Sequence, residues 1–330
     1  MGYKIETWNV RGMGSPSKRH KILMYLKRRD VHIALLQETH LVNTEVKQLQ
    51  KRWRGQIYAT EYSAFARGAL VWIRAGVPFE VAAKRIDKEG RFVLLDGKLD
   101  GKPLMIASIY APNQEQLVFL TELSTQIGVM GNGDKVIGGD FNMVVDTNLD
   151  RSTPPIAGAQ SLRTSKGFRD WIDNWGLIDI WRTQHSNERD YSFYSNLYSL
   201  QVRLDMILCS KTVSHMFTHT EYLGRTVSDH NPLLAGLMLN SPRPAVPLWR
   251  FSSTALEDTP VMEGLREAVV NYFMTNQGTA SNCLMEWEAL KVVTRGYCIG
   301  KVVGIKKELE KELTEAEDRI HDFEKQLGDT

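Results

Sequence analysis

The chain has 330 residues, 42% of them hydrophobic and 24% charged, which suits one large globular domain with an appendage or two domains. That composition excludes disorder over most of the length, and no apolar run approaches the roughly 20 residues of a membrane span. The net charge of +2 conceals an asymmetry, because residues 1–54 carry 12 Lys/Arg against 4 Asp/Glu. Lys18, Arg19, Lys21, Lys27, Arg28 and Arg29 concentrate that excess, either as a solvated helix face or as a surface for a phosphate backbone. Cys209, Cys283 and Cys298 are three well-separated cysteines, which imply neither a disulfide framework nor a four-ligand zinc site. The expectation is a soluble protein of a reducing compartment.

In chain order, residues 3–10 read as a strand, and Ser17 is placed to cap the next element, a helix. Residues 31–37 form an apolar run of strand length. Further strands are expected over 69–73, 93–95, 104–110, 135–139, 191–194 and 204–208, with helices over 114–127 and 161–175. Many strands with interspersed helices predict two packed sheets flanked by helices over residues 1–239. The character changes at Asn240. Three of the 11 prolines fall within 241–247, so 240–254 reads as an extended linker. Residues 255–330 then read as an all-helical extension, with helices over 260–274 and 282–327. Leu309, Leu313, Ala316, Ile320, Phe323 and Leu327 alternate spacings of four and three, a coiled-coil-like seam. It would serve self-association or fold back on its own protein, and the helical, polar end reads as a cut through a longer polypeptide.

Six short segments concentrate polar residues at strand ends, where a rigid sheet presents functional groups. They are Trp8-Asn9-Val10-Arg11-Gly12, Gln37-Glu38-Thr39-His40, Tyr110-Ala111-Pro112-Asn113, Gly138-Gly139-Asp140-Phe141-Asn142, Arg203-Leu204-Asp205 and Ser228-Asp229-His230-Asn231-Pro232. The candidates drawn from them are four carboxylates (Glu38, Asp140, Asp205 and Asp229), two amides (Asn9 and Asn142), a phenol (Tyr110) and one histidine (His230). Oxygen donors without thiolates select a hard cation, Mg2+ with Mn2+ as a substitute. Glu38 is the best single ligand, with Asn9 nearby and Asp229 acting through water. His230 stands beside one Asp, and a second Asp elsewhere could orient its imidazole to stabilise or protonate a phosphoryl oxygen. Asn142, Tyr110 and Asn9 supply neutral donors for a phosphate gaining charge. The set fits metal-assisted hydrolysis of a phosphoester by water. Other residues carry no such signal. His215 and His219 lack further ligands at zinc spacing, Trp171, Trp175 and Trp181 suit a core, and so does Cys209.

These six segments, in this order over roughly residues 3–239, resemble the endonuclease/exonuclease/phosphatase superfamily. The resemblance implies a four-layered α/β sandwich and Mg2+-dependent phosphoester hydrolysis. It would make Glu38 the metal ligand with Asn9 as its neighbour, Asp140 the activator of water, and Asn142 and Tyr110 phosphate contacts. Asp205 and His230 would stabilise the transition state, with Asp229 supporting the metal. Gln37-Glu38-Thr39-His40-Leu41, Ala66-Arg67-Gly68-Ala69-Leu70-Val71 and Asp190-Tyr191-Ser192-Phe193-Tyr194-Ser195 are most similar to the endonuclease of non-LTR retrotransposons of the long interspersed element type. Trp249-Arg250-Phe251 resembles the stretch downstream of that endonuclease in the element, ahead of a reverse transcriptase. That resemblance implies nicking of double-stranded DNA in the nucleus, with the 3′-hydroxyl priming reverse transcription of the element RNA. Ser192, Ser228 and Arg11 would then meet the DNA phosphates, and a hairpin over 196–202, with Tyr198 and Gln201, would enter the minor groove. Abasic-site endonucleases tend to have Lys where His40 stands. A repair endonuclease, a small-substrate phosphoesterase, or a nucleic-acid-binding assembly module through 240–330 are the alternatives.

Overall fold

The computed structural model describes residues 2–131, 133–153, 159–195, 200–239, 259–276 and 283–328. The chain divides into two compact units, residues 1–243 with 317–330, and residues 244–316. The expected linker over 240–254 falls outside the described residues.

In the first unit, strand β1 (Tyr3–Asn9) turns Tyr3 and Ile5 toward one apolar layer and Trp8 toward another, the period-2 alternation of an extended chain. Strand β2 (Ile33–Gln37) is buried on both faces and is correspondingly apolar up to its last residue, Gln37. With β3 (Gly55–Ala59), β4 (Ala69–Arg74), β13 (Phe217–Tyr222) and β14 (Leu233–Leu237) they form a sheet of order β13-β14-β1-β2-β4-β3. A second six-stranded sheet has the order β5 (Phe79–Ile86), β6 (Phe92–Leu99), β7 (Lys102–Tyr110), β8 (Asp134–Asp140), β12 (Asp205–Ser210), β9 (Leu177–Asp179). Ile5, Leu35, Val71, Leu95, Ile106, Val136 and Ile207 form the core between the sheets. Helices α1 (Pro16–Arg28) and α2 (Asn43–Arg52) cover the outer face of the first sheet, packing Ile22, Leu26, Val46 and Leu49 against Trp8, Leu36 and Trp72. Helices α3 (Gln116–Gly128) and α4 (Ala159–Asn174) cover the second, packing Leu120, Leu123, Phe168 and Ile172 against Leu94, Ile137 and Leu208. This is the expected four-layered sandwich. A short helix, α5 (Ile180–Gln184), comes directly after β9, and β10 (Phe193–Ser195) pairs with β11 (Leu200–Val202) as a separate ribbon.

One expectation is corrected locally. Ser15, not Ser17, caps α1, accepting from the Lys18 N–H at 3.2 Å, because Pro16 occupies the first helical turn where its missing N–H costs nothing. His215 and His219 are not a helical pair. A 3₁₀ turn over Lys211–Met216 gives way to β13, which leaves His219 on an exposed strand position.

The sheets bring the six polar segments together. β1 and β2 run parallel with Asn9 opposite Gln37, and β7 and β8 run parallel with Tyr110 opposite Asp140. β12 runs antiparallel to β8 with Asp205 opposite Asp140, and β14 antiparallel to β1 with Thr7 opposite Leu233. Four strand ends and two strand starts therefore meet at one edge of the sandwich. Gly138 permits the approach, since a Cβ there would lie 2.5 Å from Leu35 Cδ1 on the facing sheet.

In the second unit, helix α6 (Thr259–Asn276) lies against the first turns of α7 (Cys283–Gly328), where the Tyr272 hydroxyl donates to the Glu286 carbonyl at 3.1 Å. On α7 the seam residues Leu309, Leu313, Ile320 and Phe323 are exposed. Among the described residues, no helix is long and apolar enough to cross a membrane.

Candidate active site

At the shared edge, Asn9 is the hub. It is fully buried, and its amide nitrogen donates to Glu38 Oε1 at 3.1 Å and to Asp140 Oδ2 at 2.9 Å. Its amide oxygen accepts from the Arg11 N–H at 3.0 Å. Asn9 thus spaces two carboxylates through its amide nitrogen, while its amide oxygen holds the Arg11 backbone. Asp140 also accepts from the Asn142 N–H at 3.0 Å, while the Asn142 amide donates to the Ala111 carbonyl at 2.8 Å. His230 Nδ1 lies 2.7 Å from Asp205 Oδ2, and Asp140, Asp205 and His230 offer ligand atoms within 4.8 Å of one another. The Tyr110 phenol lies within the field of the Glu38 and Asp140 carboxylates.

The surroundings hold this geometry. The Trp8 indole donates to the His230 carbonyl at 3.0 Å, and Phe193 packs on the His230 ring at 4.8 Å. Beneath Glu38, the Gln37 amide donates to Ser108 Oγ at 3.0 Å, and Ser108 donates to the Leu36 carbonyl, tying the two sheets together. Arg11, Glu38, His40 and Asn142 all have positive φ, between 46° and 51°. Left-handed non-glycine residues store strain and concentrate where the surrounding fold over-determines them. A cleft of about 610 Å3 opens beside Glu38, His40 and Tyr110 and runs along Arg67 and Asn113, with Phe65 on its rim.

Burial and neighbouring charge set the protonation states. Burial raises the Asp140 carboxyl, and the Asp205 charge raises it further, against donation from Asn9 and Asn142. Burial alone would lower the His230 imidazole, but the charge and hydrogen bond of Asp205, together with the Asp140 and Asp229 charges, lift the ring to about 9. His230 is therefore a cation near neutral pH. Burial, with the Glu38 and Asp140 charges, keeps Tyr110 a phenol. For His40 burial dominates and lowers its pKa, against the pull of Glu38.

Not every predicted residue takes its expected place. Ser192 is 1% exposed, and its hydroxyl accepts the N–H groups of Leu204 and Asp205, both at 2.9 Å. Its role is to set the backbone ahead of Asp205, and the phosphate assignment is corrected. Ser228 Oγ donates to the Asn9 carbonyl at 2.7 Å and accepts from the His230 N–H, so it too ties loops together. Gln201 is buried at the root of the β10–β11 ribbon and does not stand on a protruding tip. Tyr198 lies outside the described residues. Arg11 is exposed and pairs with Asp229 at 2.8 Å, so Asp229 faces a guanidinium at the site's margin. Ser108 is a functional support that the sequence does not single out, because it reads as an ordinary strand residue.

A model of the Endonuclease/Exonuclease/phosphatase family matches residues 7–230. Among solved structures, the chain is similar to the AP endonuclease LMAP from Leishmania major, at 18% identity and a TM-score of 0.56, covering 72% of this chain and 87% of that one. It is also similar to the APE2 catalytic domain from Xenopus laevis, at 17% identity and a TM-score of 0.57, covering 72% and 94%. The 3′ phosphatase NExo from Neisseria, bound to a product DNA hairpin, matches at 19% identity and a TM-score of 0.54, covering 72% and 100%. At these identities the likeness establishes the fold.

Proposed function

The chain belongs to the endonuclease/exonuclease/phosphatase family, and we propose that within it this protein is a Mg2+-dependent endonuclease that nicks one strand of duplex DNA for a non-LTR retrotransposon. One observation carries the chemical half of this reading. Asn9 separates Glu38 from Asp140, and Asp140 in turn lies beside the Asp205–His230 pair, so a carboxylate for a metal and a cationic acid for a phosphate flank one buried base. The donors suit a hard cation, since Glu38 offers oxygen and no thiolate is near. Glu38 would hold the ion, and Mg2+ bound there would polarise a phosphoryl oxygen and offset charge developing on the leaving oxygen. Asp140 accepts the proton of the attacking water as the new P–O bond forms and the P–O3′ bond breaks. His230, held by Asp205, donates a charged hydrogen bond to a non-bridging oxygen, and Asn142 fixes the loop after Asp140. The products are a 3′-hydroxyl and a 5′-phosphate.

The retrotransposon half rests on the segments around His40, Arg67 and Ser192 and on the Trp249-Arg250-Phe251 stretch. In that reading the enzyme acts on chromosomal DNA in the nucleus. Element RNA, the reverse transcriptase and a second copy held through the C-terminal helix are its further partners. A supercoiled-plasmid assay with and without Mg2+, with nick sites mapped by primer extension, tests both halves. Glu38→Ala and His230→Ala are each expected to slow nicking roughly 10²–10³-fold. A wild type that spares intact plasmid but cuts an abasic duplex, or releases phosphate from a small ester, would retain the chemistry and overturn the retrotransposon assignment.

A further inference from the structure

We propose that Arg203 is a positioning residue for the Asp205–His230 pair, locking the strand that carries Asp205 to the root of the β10–β11 ribbon. The proposal rests on the phosphodiester-cleaving function above. Arg203 is fully buried, a costly place for a guanidinium unless its charge is met. Its Nε lies 2.8 Å from Asp150 Oδ1 and its Nη1 lies 2.6 Å from Asp179 Oδ2. The guanidinium stands over the Trp181 ring, 5.4 Å from its centroid. Asp150 also pairs with Arg182 at 2.8 Å, so two cations and two carboxylates close one cluster. None of these contacts involves Glu38, Asp140 or His230, and the family chemistry makes no use of them.

What the cluster holds is backbone. The Arg203 N–H donates to the Asp150 carbonyl at 2.9 Å, the Ser152 N–H to the Gln201 carbonyl at 3.0 Å, and Arg151 bridges Val202. Residues 150–152 therefore run as a short extra strand along β11. Directly beyond Arg203, the Leu204 carbonyl accepts from the Phe141 N–H at 3.0 Å, one residue after Asp140. Tyr222, packed on Trp181 at 5.2 Å, donates its hydroxyl to the Asp205 carbonyl at 2.6 Å. Asp205 Oδ1 has no hydrogen-bond partner among the described residues. Apart from His230, then, the carboxylate is aimed by the backbone that Arg203, Ser192 and Tyr222 anchor. A displacement of about 1 Å in a catalytic group can cost on the order of 10²-fold in rate. Lysine at 203 would keep the charge but lose the fork that spans Asp150 and Asp179.

The test is a double-mutant cycle on plasmid nicking by the full chain. Arg203→Lys and Asp179→Asn are made singly and in a His230→Ala background. Asp179→Asn keeps an acceptor for the Arg182 N–H that Asp179 now caps at 3.1 Å. Each variant is expected to lower kcat by about 10–100-fold with KM within about twofold, measured well below a melting temperature that falls by several degrees as the buried pair is weakened. In the His230→Ala background each is expected to cost little more, because the pair it positions is already gone. Equal losses in both backgrounds, a loss confined to KM, or no loss overturns the proposal. If Arg203→Lys does not fold, Asp179→Asn runs the same cycle and decides it. A wild type that leaves both plasmid and bis-p-nitrophenyl phosphate intact overturns the proposed function first, and this proposal with it.

Discussion

Asp140 and Glu6 are both buried carboxylates in the first unit, at 1% and 0% exposure. Asp140 accepts from Asn9 and Asn142 and lies beside the His230 cation. Glu6, on the helix-facing side of β1, has no hydrogen-bond partner for either oxygen among the described residues. Its nearest cations are already engaged, since Arg28 and Arg29 both pair with Glu317. Burial raises both acids, Asp140 with help from Asp205, and Glu6 to about 8 against opposition from Arg29. A raised pKa is thus common to the two, and it identifies neither as catalytic. The second ring of contacts separates them. Asp140 has donors that orient it at the edge where the six polar segments meet, whereas Glu6 has none among the described residues and lies under α1.

Exchanging each acid for its amide tests that distinction, and the largest effect falls on Asp140. Asp140→Asn removes a proton acceptor and is expected to slow nicking about 10³-fold while the melting temperature holds within a few degrees. Plasmid cleavage and a thermal melt on the same preparation read both. Retained cleavage would break the comparison outright. A smaller effect is expected at Ser192, which sharpens how Asp205 is aimed. Ser192→Ala removes the acceptor for two N–H groups and is expected to lower kcat about tenfold, cost about 1–2 kcal/mol of stability and leave KM unchanged. A rise in KM alone would return Ser192 to the phosphate.

The same contrast explains what is legible in the sequence. β2 and β7 announce themselves because burial on both faces demands continuous apolar runs. β5 does not, since Glu80, Lys84 and Arg85 lie exposed on an edge strand where no face needs to be apolar. α2 is equally quiet, with only Val46 and Leu49 buried over ten residues. The six polar segments are legible because hydrophilic residues at the ends of apolar strands are costly without a purpose. Asp150 and Asp179 are not, because their partner Arg203 lies 53 and 24 residues away. Only the sheet order β8-β12-β9 brings them to it. Ser192 and Gln201 read as reaching outward because a family likeness gives residue identity and not the direction of a side chain.

Glu6→Gln carries the smallest expected effect on nicking and the most specific sign on stability. A carboxyl whose native pKa is about 8, against an ordinary value of 4.5, keeps its proton when folded and releases it when unfolded across that window. The wild type should therefore lose stability as pH rises from about 5 to 8 and level off beyond it. Glutamine fills the same volume without a charge to desolvate, so the variant's melting temperature should be flat by comparison and higher at pH 9. A rise from 4.5 to about 8 corresponds to several kcal/mol, so the gap should reach roughly 10 °C at about 2–4 °C for each kcal/mol in a domain of this size. Nicking should be unaffected, because Glu6 faces the helices while Asp140 lies with Asn9 and Asn142 at the shared strand edge. Parallel melting curves from pH 5 to 9 would mean that Glu6 is ionised in the folded protein. Arg29 would then have to leave Glu317 to meet it, and the difference between the two acids would shrink to one of location.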